Sequence, residues 1–161
     1  MSIHTATTTS STTVPRVLRG HRSVEMLGNR LDLLVEADDF PRASVVRYTV
    51  APAFIAPPQL HHHVSDDVLM VVLTGSLVVT GVQGEVQAGP GEVVVLRHGT
   101  PFAWRNASEV EQAVYLGIYA PGGFEQYFPA IQAAASQGGG LTPEVLLPLW
   151  EQYGIAISAT D

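Results

Sequence analysis

The stretch from Pro57 to Gly75 reads PPQLHHHVSDDVLMVVLTG. Three consecutive histidines stand between a proline-rich turn and an apolar run. Histidine is the commonest metal ligand among side chains. On an extended chain, alternate side chains share a face. His61 and His63 therefore point one way and His62 the other. Two imidazoles on one face could hold a metal, given one or two further donors from neighbouring strands.

The surrounding chain reads as short strands. VVRYTV (45–50), VLMVVL (68–73), SLVVTGV (76–82), EVVVL (92–96) and AVYLGIY (113–119) are dominated by β-branched and aromatic residues. RLDLLVEA (30–37) alternates like a further strand. Gly75, Gly81, Gly84, Gly89, Gly91 and Gly99 separate these runs. Such close spacing predicts an antiparallel sandwich or barrel. The end of the chain changes character. FEQYFPAIQAAASQ after Gly123 predicts a helix interrupted or bounded at Pro129. Thr142, Pro143 and Glu144 read as an N-cap, a first-position proline and a first-turn acid. They open a second short helix running to about Tyr153, whose apolar positions recur at helical spacing.

Composition narrows the function classes. The chain has 161 residues, which suggests one domain. There is no cysteine, which excludes disulfides and thiolate chemistry. All eight basic residues are arginine, which excludes a lysine Schiff base. The formal charge of −7 argues against a nucleic-acid partner. No apolar run approaches the ~20 residues of a membrane span. The first 14 residues, MSIHTATTTSSTTV, lack a basic start and an apolar h-region. They are expected to form a flexible tail on a cytoplasmic protein, with a single domain over 15–161.

Residues 57–106 resemble the cupin family, small β-barrels that bind metals and small molecules. The family's first motif is two histidines separated by one residue, four residues, a glutamate, six residues and a glycine. His61, His63 and Gly75 stand at those places. In the second motif, Gly91, Gly99 and Asn106 match. The Pro57-Pro58 lead-in and the PGGFE at 121–125 look like the quercetinase-like single-domain cupins. The resemblance implies an all-β antiparallel barrel, a double-stranded β-helix or jelly roll, with short C-terminal helices. The barrel core is expected over about 43–120 and the helical segment over about 123–155. It also implies a homodimer, with a strand from about Val17–Ala37 at the interface.

The departures fall on the chemistry. Val68 stands where the ligand glutamate belongs and Phe102 where the second-motif histidine belongs. Neither has a donor atom. Arg97 replaces the motif proline and Ile55 the leading glycine. The expected cofactor is therefore none, or a weakly held divalent ion (Fe, Ni, Mn, Cu or Zn) at His61 and His63. Asp67 or His98 are the candidate rescue ligands. If the family geometry holds, Tyr48, Val68, Met70, Phe102, Trp104 and Tyr115 line an apolar substrate pocket around the two histidines. An apolar surrounding lowers an imidazole's proton affinity and keeps it a neutral base at pH 7. Three functions follow. One is an enzyme moving protons on an aromatic or polyketide-like small molecule with His61 and His63 as catalytic groups, as a cyclase, isomerase or dehydratase does. The others are a metal-dependent quercetinase-like dioxygenase and a non-catalytic ligand-binding module.

Overall fold

The computed structural model describes residues 15–57 and 59–158. The expected tail over 1–14 and Pro58 lie outside the described residues. The strands are β1 (Arg22–Met26), β2 (Asn29–Val35), β3 (Ser44–Val50), β4 (His61–His63), β5 (Asp67–Thr74), β6 (Leu77–Gly81), β7 (Gly84–Ala88), β8 (Val93–Leu96), β9 (Ala103–Asn106), β10 (Ala113–Ala120) and β11 (Ile155–Ile157). A short 3-10 turn (Phe124–Gln126) leads into α1 (Tyr127–Ala135), and α2 (Pro143–Gln152) follows. The strands pair antiparallel in three sheets, in the orders β1-β2-β3-β10-β5-β8, β7-β6-β9 and β11-β4. This is the jelly-roll barrel that the resemblance implied, within the sandwich-or-barrel class expected from the strand pattern.

Period-2 patterning fixes which residues face inward. In β3, Ser44, Val46, Tyr48 and Val50 are buried while Val45, Arg47 and Thr49 are half-buried. In β10, Ala113, Tyr115, Gly117 and Tyr119 are the buried set. A one-residue slip would turn either set to solvent. Each Val or Leu removed from water contributes roughly 1.5–3 kcal/mol, which holds the register.

The matched motif positions serve the backbone. Gly75, Gly91 and Gly99 all have left-handed φ, at 70°, 84° and 76°, where side chains are disfavoured. Asn106 is buried, and its amide donates to the carbonyls of Ala51 (3.0 Å) and Glu111 (2.9 Å). Its oxygen accepts from Ser108 N at 2.9 Å. These positions shape turns and pin the loop before β10.

Two buried carboxylates do similar work. Asp32 faces the outer side of the six-stranded sheet and accepts from Ser23 Oγ (2.7 Å), Arg30 Nε (2.9 Å) and Arg47 Nη2 (2.6 Å). Burial alone would raise its proton affinity, but these bonds hold it well below the usual carboxylate range. Glu125 of the PGGFE segment is fully buried and accepts from Ala37 N (2.8 Å) and Gly123 N (2.7 Å). That ties the start of the helical segment to the β2–β3 connection. Pro129 lies in the first turn of α1 and does not interrupt it, because no intrahelical N–H is needed there. Thr142 is extended ahead of Pro143, as expected of an N-cap residue, although its side chain makes no capping bond.

Candidate active site

The sheets enclose a cavity of about 470 Å³. That volume lies in the range of pockets that bury a drug-sized ligand. The six-stranded sheet contributes Tyr48, Val68, Met70, Tyr115 and Tyr119; β9 and the residue before it contribute Trp104 and Phe102; β4 contributes His61 and His63. Phe124, Tyr127, Phe128, Ile131 and Trp150 from the helical segment close one side. Leu27 and Ile55 line the cavity and are also 66% and 63% exposed, so they mark its mouth. All eight pocket and catalytic candidates from the sequence therefore border one space. Among the described residues, no arginine, lysine or carboxylate lines it.

The histidine strand is held on both edges. β11 pairs with β4 so that Ile155 faces His63 and Ile157 faces His61. On the other edge, His61 and Phe102 exchange backbone hydrogen bonds of 3.0 and 2.8 Å, and Gly99 N donates to His63 O at 2.7 Å. This fixes the alternation that sends His61 and His63 to the cavity. His62 does not line it; its Nδ1 lies 2.9 Å from Ser158 Oγ.

The two inward imidazoles differ. His61 is half-buried, with Nδ1 3.2 Å from the Gln59 carbonyl. Burial lowers its proton affinity and outweighs the Gln59 contact, leaving it neutral at pH 7. His63 is buried among rings, with Phe124 at 4.3 Å, Tyr119 at 5.8 Å and Phe102 at 6.0 Å between centroids. Its Nδ1 is buried with no hydrogen-bond partner, yet Asp66 Oδ2 is 3.6 Å away. The Asp66 carboxylate thus faces the His63 ring across a gap longer than a hydrogen bond.

The remaining donor candidates lie elsewhere. Asp67 and His98 pair with each other at 2.8 Å with about half of each side chain exposed, and neither lines the cavity. Hydrogen bonds from the His98 backbone and ring keep the Asp67 carboxyl below its ordinary range. As placed here, the two candidate rescue residues interact with one another and not with His61 or His63. At the two replaced ligand positions, Val68 (4% exposed) and Phe102 (5%) fill the space as core side chains. Among the described residues no group of three or more potential ligands converges. Two imidazoles with no third imidazole or carboxylate among the described lining residues do not fit a four-ligand ion. Arg105 lies 3.7 Å from Glu85 and Arg97 is exposed, so neither reaches the cavity.

The sequence reading missed Tyr119. Its ring lines the cavity and its hydroxyl hydrogen-bonds that of Tyr48. The signal was present: Tyr115 and Tyr119 are four apart on one strand and so share a face. Asp66 gave no comparable signal, because its place beside His63 depends on how the chain turns between β4 and β5.

Residues 46–119 match the family model described as the cupin domain. No curated protein matches the sequence. Among solved structures, the polyketide cyclase RemF from Streptomyces resistomycificus aligns with a TM-score of 0.55 and 20% identity, over 67% of this chain and 80% of that one. The nucleoside dehydratase Pac13 from Streptomyces aligns at 0.54 and 21%, over 71% and 88%. KdgF from Halomonas sp. aligns at 0.56 and 15%, over 66% and 93%. At these identities the likeness establishes the fold. No helix among the described residues is long and apolar enough to cross a membrane. The chain thus has the cupin fold, and residues 46–119 are the part that matches the cupin-domain model.

Proposed function

We propose that this cupin is an enzyme acting on a neutral, mostly apolar aromatic molecule by histidine-mediated proton transfer, in the manner of a cyclase, isomerase or dehydratase. One observation carries the reading: a cavity of about 470 Å³ with no charged side chain among its described lining residues, in which two imidazoles join an aromatic wall. A phosphate or carboxylate would find no counter-charge there, and burying one unpaired is costly. A neutral ligand with a few oxygen functions meets no such penalty. The fold neighbours include a polyketide cyclase and a nucleoside dehydratase, which supports this class of reaction.

His63 is the proposed base, with Asp66 steadying its Nδ1 side. The imidazole takes a proton from a carbon alpha to a carbonyl. The C–H electron pair becomes the new double bond, and the carbonyl π pair moves onto oxygen. The imidazolium then returns the proton to carbon or oxygen, so no oxidant is needed. His61, neutral at pH 7, is the second proton-transfer group. A positioned base contributes roughly 10²–10⁴-fold. The dioxygenase reading needs a bound metal, and the donor set described above does not support one.

The test needs no knowledge of the natural substrate. 2-Tetralone has exchangeable alpha protons and matches the ligand class. Its exchange in D2O is followed by NMR with wild-type protein, His63→Gln and His61→Gln. Wild type is expected to accelerate exchange at least about 100-fold over buffer, with most of that lost in His63→Gln. Binding of 2-tetralone without acceleration would refute the enzyme reading and leave the ligand-binding module.

A further inference from the structure

Tyr48, Tyr115 and Tyr119 bring three phenols together on the inner face of β3 and β10. Tyr48 and Tyr115 are cross-strand partners with rings stacked 4.3 Å apart at 8°. Tyr48 and Tyr119 are joined through their hydroxyls. All three rings are buried and all three line the cavity. Burial raises the proton affinity of each phenol, so each hydroxyl keeps its hydrogen.

Counting hydrogens leaves a donor to spare. Two hydroxyls carry two hydrogens, and the bond between them uses one. If Tyr115 accepts the second, its own hydrogen is left over. An open chain of hydroxyls always has one more hydrogen than it has internal bonds. Tyr115 and Tyr119 each have Tyr48 as their hydrogen-bonding neighbour, so the three hydroxyls form an open chain. Buried phenol hydroxyls ordinarily find a partner. No carboxylate lines the cavity to accept here.

We infer that the Tyr48–Tyr119 hydroxyl pair, with Tyr115 stacked beside it, is a binding site for one oxygen of the ligand, a ketone or enol carbonyl accepting the surplus hydrogen. This rests on the ligand class proposed above and adds where the oxygen sits and what holds it. The His63 ring lies 5.8 Å from that of Tyr119 at an interplanar angle of 29°. The oxygen that gains charge as a proton leaves carbon is therefore held beside the base. Charge-assisted hydrogen bonds are about twice as strong as neutral ones, so the same hydroxyl binds the enolate better than the ketone.

The experiment compares 2-tetralone with tetralin, which has the same skeleton and no oxygen, on wild type and the double variant Tyr48→Phe, Tyr119→Phe. Binding is measured by calorimetry, and the carbonyl stretch of bound, 13C-labelled 2-tetralone by infrared difference spectroscopy. Wild type is expected to prefer 2-tetralone by about 10-fold, the worth of one hydrogen bond, with the carbonyl stretch moved to lower frequency. The double variant, which removes both hydroxyls of the pair, is expected to bring the preference to within about twofold and remove the frequency shift. Continued binding of tetralin shows its pocket intact. Equal binding of the two ligands by wild type, or a frequency shift that survives in the double variant, overturns the phenol site and leaves the pocket reading standing. Failure of both ligands to bind wild type overturns both.

Discussion

Gly117→Ala is expected to destabilise this protein, although the same change usually stabilises a site whose backbone can accept it. Gly117 lies in β10 between the inward tyrosines 115 and 119, and its φ is not left-handed. Backbone preference therefore raises no objection to alanine. Restricting the unfolded chain would by itself add about 0.4–1 kcal/mol of stability. The surroundings decide otherwise. A Cβ at this position would lie 2.8 Å from Tyr48 Cε2, 3.2 Å from the Tyr119 hydroxyl and 3.3 Å from Tyr119 Cε2. Tyr48 has little room to retreat, because Tyr115 stacks on it at 4.3 Å and Phe128 meets it edge-on at 5.5 Å. Overpacking of a well-filled core costs about 1–3 kcal/mol. With central values of about 2 kcal/mol for the overpacking and about 0.7 kcal/mol for the restriction, the net loss is about 1.3 kcal/mol, or a fall in Tm of roughly 3–5 °C for a chain of this size. Gly139→Ala supplies the control: its added Cβ would meet nothing within 4 Å, so it should be neutral or slightly stabilising. Urea unfolding and thermal melting of both variants measure the difference. A Gly117→Ala protein as stable as wild type would refute the claim that the phenols are wedged against this backbone.

Two further outcomes test the histidines and the residues at positions 68 and 102. Burial lowers the proton affinity of His61 in the folded state, so the unfolded chain takes up that proton first as pH falls. The contribution of His61 to stability is then fully present above about pH 6.5 and is lost below it, toward the folded value. Urea midpoints at pH 7.5 and 5.5 should differ less in His61→Gln than in wild type; an unchanged pH dependence would contradict the assignment. The low-lying carboxylates Asp32, Glu36 and Glu125 lose their contribution at lower pH and leave this window clear. The double variant Val68→Glu, Phe102→His puts a carboxylate and a third imidazole into the cavity that His61 and His63 line. It should melt about 5–10 °C higher with Ni²⁺ at 100 times its Kd, while wild type gains far less. A folded double variant indifferent to Ni²⁺ would show that the two replaced positions do not face the histidines.

The strand pattern was legible because its cause is local. Alternating apolar residues in β3 and β10 can bury only one face, and turn glycines stand between the long strands. The strands missing from the sequence reading are short or polar. β7 is GEVQA, largely exposed, and exists by pairing with β6. β11 is three residues long and exists by pairing with the histidine strand. β1 turns into β2 through Leu27-Gly28, both at positive φ, and leucine gives no sign of such a turn. Partners far along the chain decide these elements, and no local period encodes them.

The sequence by itself determined the β-rich sandwich-or-barrel class and put apolar side chains at positions 68 and 102. Its glycines at 75, 91 and 99 and its asparagine at 106 meet backbone demands that few other residues satisfy, whereas Val68 and Phe102 have no atom to offer a metal. The tertiary structure decided what the interior became. Burial and pairing turned His98 and Asp67 toward one another on the outside, set Asp66 beside His63, and brought Tyr119 onto Tyr48. A residue's type says what chemistry it can perform. Its neighbours across the sheets, remote in sequence, decide whether it faces water, another side chain or the cavity.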